Sequence, residues 1–120
     1  MSNSIVKKEI SGHEYIFYNS FHGTRNGFYH KSELWIDGKL EATEKIGYLN
    51  RTWEMCEYET VMKKLVKELQ FSIYSDWKKE WKNTNGIKRV TKEKDRIMQK
   101  EFETHKPESY VNLEKLYIAL

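Results

Sequence analysis

The chain has 120 residues, which is the size of one domain, and we expect a single domain over residues 1–120. One cysteine excludes an intramolecular disulfide, no run approaches the roughly 20 apolar residues of a membrane span, and the N-terminus lacks the apolar stretch of a signal peptide. These features predict a soluble intracellular protein, and its net charge of +3 does not by itself define a partner.

The charge is distributed unevenly along the chain. Residues 78–100 contain nine basic and three acidic side chains, so this segment carries +6 and the rest of the chain carries −3. Such a concentration of positive charge predicts a basic region in the second half of the protein.

Apolar and polar residues alternate from residue 5 to residue 53, which is typical of strands buried on one face. We therefore place a β-sheet within residues 1–54. The sequence predicts an edge strand over residues 5–10, a strand over residues 14–18, a loop over residues 21–27, and strands over residues 28–36 and 40–49. The loop includes Arg25 and is of the exposed kind that often carries function.

The pair Asp37-Gly38 is the strongest hairpin signal in the chain. A two-residue loop would place Leu40 opposite Trp35, whereas a three-residue loop with a bulge at Gly38 would place it opposite Leu34. Only the longer loop puts the apolar side chains of both strands on one face, so we predict the three-residue loop. The apolar face would hold Phe28, Leu34, Ile36, Leu40, Ala42, Ile46 and Tyr48. The opposite face would be aromatic, charged and partly open, with Tyr29, Lys31, Glu33 and Trp35.

Beyond residue 57 the apolar residues recur every three or four positions, which predicts a long amphipathic helix over residues 57–82. Its apolar stripe consists of Tyr58, Val61, Met62, Leu65, Leu69, Ile73, Trp77 and Trp81. Residues 83–86 end this helix. Residues 87–120 are predicted to form the C-terminal helices, the first capped by Thr91 and ending near residue 103, with Ile97, Met98 and Phe102 facing inward.

Pro107 separates this helix from a short last helix over residues 111–120. The last helix is apolar enough that we expect it to dock on the body of the protein or on a second copy, which would make a homodimer. The fold class is therefore α+β, an antiparallel meander of three to four strands followed by a long amphipathic helix and one or two C-terminal helices.

No catalytic or metal-binding pattern stands out, and we expect no enzyme activity, no metal and no cofactor. The histidines are not at ligand spacing, although His13, His22 and His30 would converge if their strands were neighbours, and His105 is remote. Cys56 lies among acidic residues, which raise the pKa of a thiol and lower its reactivity. The carboxylates Glu33, Glu41, Glu44, Glu54, Glu57 and Glu59 have the spacing of solvated faces, and Gly23 and Gly27 lack the context of a phosphate loop.

The residues that we expect to bind a partner are basic or aromatic. They are Lys78, Lys79, Lys82, Lys88, Arg89, Lys92, Arg96, Tyr29, Trp35 and Arg25. A nucleic acid would use the basic segment and stack bases on Tyr29, Trp35 and either Tyr15 or Tyr18. An isoelectric point near 8.8 argues against this alternative, and Trp77 and Trp81 of the same segment belong to the predicted core stripe.

Residues 34–66 carry a resemblance to a known group of proteins. They read Leu-Trp-Ile-Asp-Gly-Lys, then Glu-Lys-Ile-Gly-Tyr-Leu-Asn-Arg-Thr-Trp-Glu, then Tyr-Glu-Thr-Val-Met-Lys-Lys-Leu-Val. This segment, about a quarter of the chain, resembles small uncharacterised proteins of bacteriophages and mobile elements of Gram-positive bacteria. In those proteins Asn-Arg-Thr-Trp-Glu closes a strand before an amphipathic helix.

A structural role explains this motif. Asn50 would turn the chain, Trp53 would anchor the helix on the sheet, and Arg51 would pair with Glu54 or Glu57. An alternative is that Arg51 lies in a binding site. The resemblance offers no catalytic residues, and it implies a protein in the cytoplasm of the bacterial host. Small phage proteins of this kind often inhibit host defence, with anti-CRISPR proteins as the leading case. We therefore expect a protein that binds and inhibits a host protein, namely a CRISPR RNA-guided nuclease. The alternative is a small nucleic-acid-binding module that uses the basic C-terminal region, and neither function involves a membrane.

Overall fold

The computed structural model describes residues 3–25, 27–49 and 57–120. This part of the chain forms four strands followed by three helices, the α+β arrangement expected from the sequence. The elements are β1 (Ser4–Ile10), β2 (His13–Thr24), β3 (Gly27–Ile36), β4 (Lys39–Leu49), α1 (Tyr58–Thr84), α2 (Lys92–Thr104) and α3 (Glu108–Ala119). The strands form an antiparallel meander in the order β1-β2-β3-β4.

The second strand extends further than predicted, because residues 21–24 continue β2 instead of forming a loop. Phe21 pairs with His30, and Thr24 pairs with Gly27. The Phe21 ring lies 5.2 Å from the Phe28 ring and 5.3 Å from the His30 ring. Such aromatic neighbours across two strands stabilise pairing, and here they outweigh the glycine of the segment, Gly23.

The hairpin between β3 and β4 has a two-residue loop, so the predicted three-residue loop is wrong. Asp37 and Gly38 have φ angles of 50° and 81°, as a turn of this length requires. Leu40 therefore pairs with Trp35 on the open face and is 44% exposed. A bulge then shifts the register so that Leu34 pairs with Ala42, and Ala42 and Ile46 keep the predicted face.

The long helix α1 has the predicted stripe, with every stripe residue buried or half-buried. Thr91 caps α2 as predicted, since its Oγ1 accepts a hydrogen bond from Lys94 N at 3.3 Å. Met98 and Phe102 face inward, but Ile97 is 47% exposed, contrary to prediction. Neighbours on a helix differ by about 100° in direction, so one narrow contact cannot bury both Ile97 and Met98.

The core lies between one face of the sheet, here called the inner face, and the helices α1 and α3. It consists of Tyr15, Phe17, Leu34, Met62, Leu65, Val66, Leu113 and Leu116. The last helix begins three residues earlier than predicted, directly after Pro107, and docks on α1 and β1. Docking on the body of the protein, one of the two predicted alternatives, is therefore confirmed.

The predicted roles of Asn50, Arg51, Trp53, Glu54 and Cys56 lie outside the described residues. None of the helices in the described part of the chain is long and apolar enough to cross a bilayer.

Candidate functional site

The strongest concentration of charge lies where α1 ends and α2 begins, and we call it the basic corner. It consists of Lys78, Lys79, Lys82, Lys88, Arg89, Lys92, Lys94, Arg96 and Lys100. The backbone and side-chain amides of Asn85 both donate to Trp81 O, at 3.0 and 2.8 Å, and Gly86 has a left-handed φ of 63°. This geometry ends α1, so the cations are divided between two helices and their connection.

An aromatic cluster holds the basic corner to the rest of the protein. The Phe102 ring of α2 lies 4.6 Å from Tyr74, 5.1 Å from Trp77 and 4.9 Å from Tyr110 of α3. The Trp81 indole N–H donates to the Glu101 carboxylate. Trp77 and Trp81 therefore join the helices, as their place in the core stripe predicted, and neither serves as an open platform for a base.

The cations of the basic corner are not neutralised locally. In the described part of the chain none of the nine forms an ion pair, whereas Lys31, Lys63, Lys64 and Lys106 all do. Lys78 lies over the Tyr74 ring at 4.7 Å, and the nearby carboxylate of Asp95 accepts a hydrogen bond from Gln99. Uncompensated cations on adjacent helices produce a positive potential that attracts anionic partners.

The other three predicted binding residues lie elsewhere. Arg25 is exposed at the connection of β2 and β3, while Tyr29 and Trp35 lie on the sheet face opposite the helices. Helix α1 starts near His30, where Tyr58 contacts that ring, and its 27 residues extend about 40 Å to the basic corner. The ten predicted residues therefore belong to separate surfaces and do not form one site.

The aromatic side chains of the sheet differ in their availability to a ligand. The Tyr29 ring is stacked on His22 of β2 at 4.8 Å, and Lys45 of β4 lies over it at 5.2 Å. Because these neighbours come from the strands on either side, Tyr29 has no free ring face for a base. Tyr15 is buried on the inner face, which leaves Tyr18 and Trp35, in edge contact at 6.1 Å.

A cleft of about 610 Å³ lies between the sheet, α1 and α3, and the sequence did not point to it. At its edge the His13 Nδ1–H donates to Asp37 Oδ2 at 2.6 Å, while Asp37 Oδ1 accepts from Glu14 N at 2.9 Å. The hydrogen bond to Asp37 raises the pKa of His13, and Glu14 N–H lowers the pKa of Asp37. This contact forms because the pairing of β2 with β3 brings two turns together. It could have been predicted only with that pairing known.

The histidine–aspartate pair connects the sheet to α3. His13 Nε2 faces Glu108 Oε1 at 3.9 Å, at the start of α3. Two serines line the cleft, Ser72 and Ser109, but within the described residues neither hydrogen-bonds to His13.

The histidines that would have formed a metal site do not converge. His13 lies at the start of β2, His22 on the open sheet face and His30 on the inner face. Among the described residues no three His, Cys, Asp or Glu side chains are placed to hold a metal ion.

Two carboxylates that the sequence did not pair are in contact. Glu44 of β4 and Glu68 of α1 share a hydrogen bond, which lowers the pKa of Glu44 and raises the pKa of Glu68. Lys64 Nζ lies 3.4 Å from Glu44, which favours the charged form of Glu44. This pair connects the sheet to α1 on the surface of the protein.

Comparison with known proteins identifies no relative: no protein-family model, no curated protein and no solved structure matches the chain.

Proposed function

We propose that the protein is a non-enzymatic inhibitor that binds a host nuclease of the RNA-guided class through the basic corner. The observation that supports this proposal is the set of nine cations that form no ion pair with the described residues. A surface of this kind is complementary to an anionic partner and accelerates its association.

The shape of the basic corner favours a defined partner over diffuse attraction. Phe102 contacts rings of both neighbouring helices and so anchors α2, the helix that carries four of the cations, to the rest of the protein. Arg89 and Arg96 add planar groups that bind carboxylates and phosphates in two-point contacts. A helix that is already formed loses less backbone entropy on binding than a disordered basic tail does.

The choice of target rests on the phage-like segment at residues 34–66 together with the sign of the charge. A guide-loaded nuclease presents the phosphates of its RNA, which form an anionic surface that the basic corner can contact. Occupying that surface would prevent the guide from pairing with target DNA, and hence prevent cleavage, without any chemistry by the inhibitor.

A second candidate function is direct binding of nucleic acid by the same cations. The exposed positions of Lys88, Arg89, Lys92 and Arg96 favour it, because each can reach a phosphate. The two functions differ in what the free protein binds. A direct nucleic-acid binder retains naked DNA or RNA at low salt and loses it steeply as salt rises, whereas the proposed inhibitor requires the nuclease.

The two candidate functions are distinguished by measuring binding to guide-loaded host nuclease and to free nucleic acid, each over a range of salt concentrations. The corner variant is Lys88→Glu/Arg89→Glu, and a control with the same charge change is Lys39→Glu/Lys115→Glu, at two exposed positions outside the corner. The proposal predicts tight binding to the nuclease by wild type and control, and at least roughly tenfold weaker binding by the corner variant. Binding to free nucleic acid alone favours the second candidate, and binding to neither overturns both.

A further inference from the structure

The sheet face that points away from the helices is a second large surface, here called the outer face. In the described part of the chain α1 and α3 pack only on the inner face, and no element covers the outer one. Pairing and alternation place on the outer face Ile5, Lys7, Glu9, Glu14, Ile16, Tyr18, Ser20, His22, Tyr29, Lys31, Glu33, Trp35, Leu40, Thr43 and Lys45.

The centre of the outer face is apolar. Ile16, Trp35 and Leu40 are direct neighbours across β2, β3 and β4. Ile5 and Tyr18 form the adjacent pair on β1 and β2, with 61% and 41% of their surface exposed. These five residues cross all four strands, with Lys7 directly beside Ile16 and Glu33 directly beside Tyr18. Exposed apolar side chains grouped in this way are typical of a surface that another molecule covers.

The two ends of the outer face carry opposite charges in an unusual arrangement. Glu9 lies directly opposite Glu14 at one end, and Lys31 lies directly opposite Lys45 at the other. Like charges in direct cross-strand pairs destabilise a sheet. Lys31 has partial compensation from Glu33 at 3.4 Å, but within the described residues neither Glu9 nor Glu14 forms an ion pair.

We propose that the outer face is the interface of a homodimer. A two-fold axis exchanges the two ends if it lies in the plane of the interface, passes through the apolar centre and is perpendicular to the line that joins the ends. It thereby places the Glu9/Glu14 pair of one copy over the Lys31/Lys45 pair of its partner. Both unfavourable pairs gain opposite charges, and the apolar centres cover each other, as a self-complementary interface requires.

The size of the face is sufficient for such a dimer. Four strands spaced about 4.8 Å apart, each about ten residues long, form a face of roughly 600 Å². Two of these faces bury about 1,200 Å² in total, at the lower end of the range of specific interfaces. An interface of this size belongs to the weaker specific associations, so we expect the dimer to form as the protein concentration is raised.

The homodimer is independent of the proposed function, because the basic corner is not part of the outer face. Each copy would keep its own corner accessible, so a dimer presents two of them. Two linked corners bind a partner with two anionic sites more tightly than one corner does.

Sedimentation of the full chain at increasing concentration tests the homodimer, with a control variant at the basic corner. Wild type and Lys88→Glu/Arg89→Glu are expected to approach twice the 14.5 kDa of one chain. Two further variants, Glu9→Lys/Glu14→Lys and Lys31→Glu/Lys45→Glu, each give an outer face with two ends of the same sign. Each variant alone should remain monomeric, with circular dichroism confirming that it is folded.

The decisive measurement is an equimolar mixture of the two outer-face variants. One has two basic ends and the other two acidic ends, so together they should form a one-to-one heterodimer, and high salt should weaken it. A monomeric wild type, dimers formed by either variant alone, or folded variants that do not associate with each other would each overturn the proposal.

Discussion

The basic corner and the outer face differ in how their charges are arranged. The corner has an excess of cations, which form no ion pair in the described part of the chain, on helices joined by an aromatic cluster. The outer face has a pair of acidic residues at one end and a pair of basic residues at the other. A surface with an excess of one sign favours a different molecule of opposite sign, whereas a surface with the two signs at opposite ends is complementary to a copy of itself.

The largest expected effect comes from removing the aromatic anchor of the corner. Phe102→Ala should lower the free energy of unfolding by about 3 kcal/mol, because this buried ring contacts rings of α1 and α3. Urea denaturation measures the change. Ile97→Ala is the matched control on the same helix and should cost less than about 1 kcal/mol, since Ile97 is exposed. Equal losses would contradict the described position of α2.

Reversing four charges of the corner should abolish partner binding without loss of stability. Lys88→Glu/Arg89→Glu/Lys92→Glu/Arg96→Glu should weaken binding at least about 100-fold, while the free energy of unfolding should stay the same or rise as repulsion decreases. Calorimetry with the guide-loaded nuclease measures the affinity, and denaturant titration measures the free energy of unfolding. If the wild type binds naked RNA or DNA, the same variant should reduce the salt slope by about 3. A folded variant with unchanged affinity would place the binding site elsewhere.

The contact of His13 with Asp37 should make stability depend on pH. Asp37 raises the pKa of His13, so the stabilisation is fully present below the unfolded value, about 6.5, and is lost as pH rises through the folded pKa. His13→Gln should therefore flatten the stability profile between about pH 6 and about pH 8. Thermal melts over this range measure the slope, and an unchanged profile would show that the contact contributes nothing in solution.

The smallest expected effect concerns Glu68. The hydrogen bond with Glu44 raises the pKa of Glu68. The stabilisation that this hydrogen bond provides is therefore present at low pH and is lost as the pH rises through the pKa of Glu68 in the folded protein. Glu68→Gln keeps a donor at every pH and should slightly raise the melting temperature at neutral pH. Glu44→Gln is the control and should not do so, because it removes the partner of Lys64. A higher melting temperature for both variants would indicate that the loss of a negative charge stabilises the protein, and not the hydrogen bond between the two side chains.

The sequence predicted the sheet, the long helix and the position of the basic corner, because each depends on residues that are neighbours in the chain. It missed the outward position of Leu40, because a bulge inside β4 replaced the longer turn while leaving most of the strand on the same face. It also missed the contact of His13 with Asp37, since these residues are distant in sequence and meet only when two turns are paired.

The arrangement of charge on the outer face was predicted only in part. Trp35 and Lys31 were correctly predicted on one open face by alternation. That Lys31 lies directly opposite Lys45, and Glu9 opposite Glu14, depends on strand register, which the sequence did not determine. The number of cations in the corner could likewise be counted from the sequence, but their lack of ion-pair partners among the described residues could not be predicted.

The most direct measurement is cleavage of target DNA by a guide-loaded host nuclease during titration with the protein. Wild type and Lys39→Glu/Lys115→Glu should stop cleavage at similar concentrations, and Lys88→Glu/Arg89→Glu should require at least about ten times more. Cleavage that continues at saturating wild-type protein, or equal inhibition by all three proteins, would contradict inhibition through the basic corner.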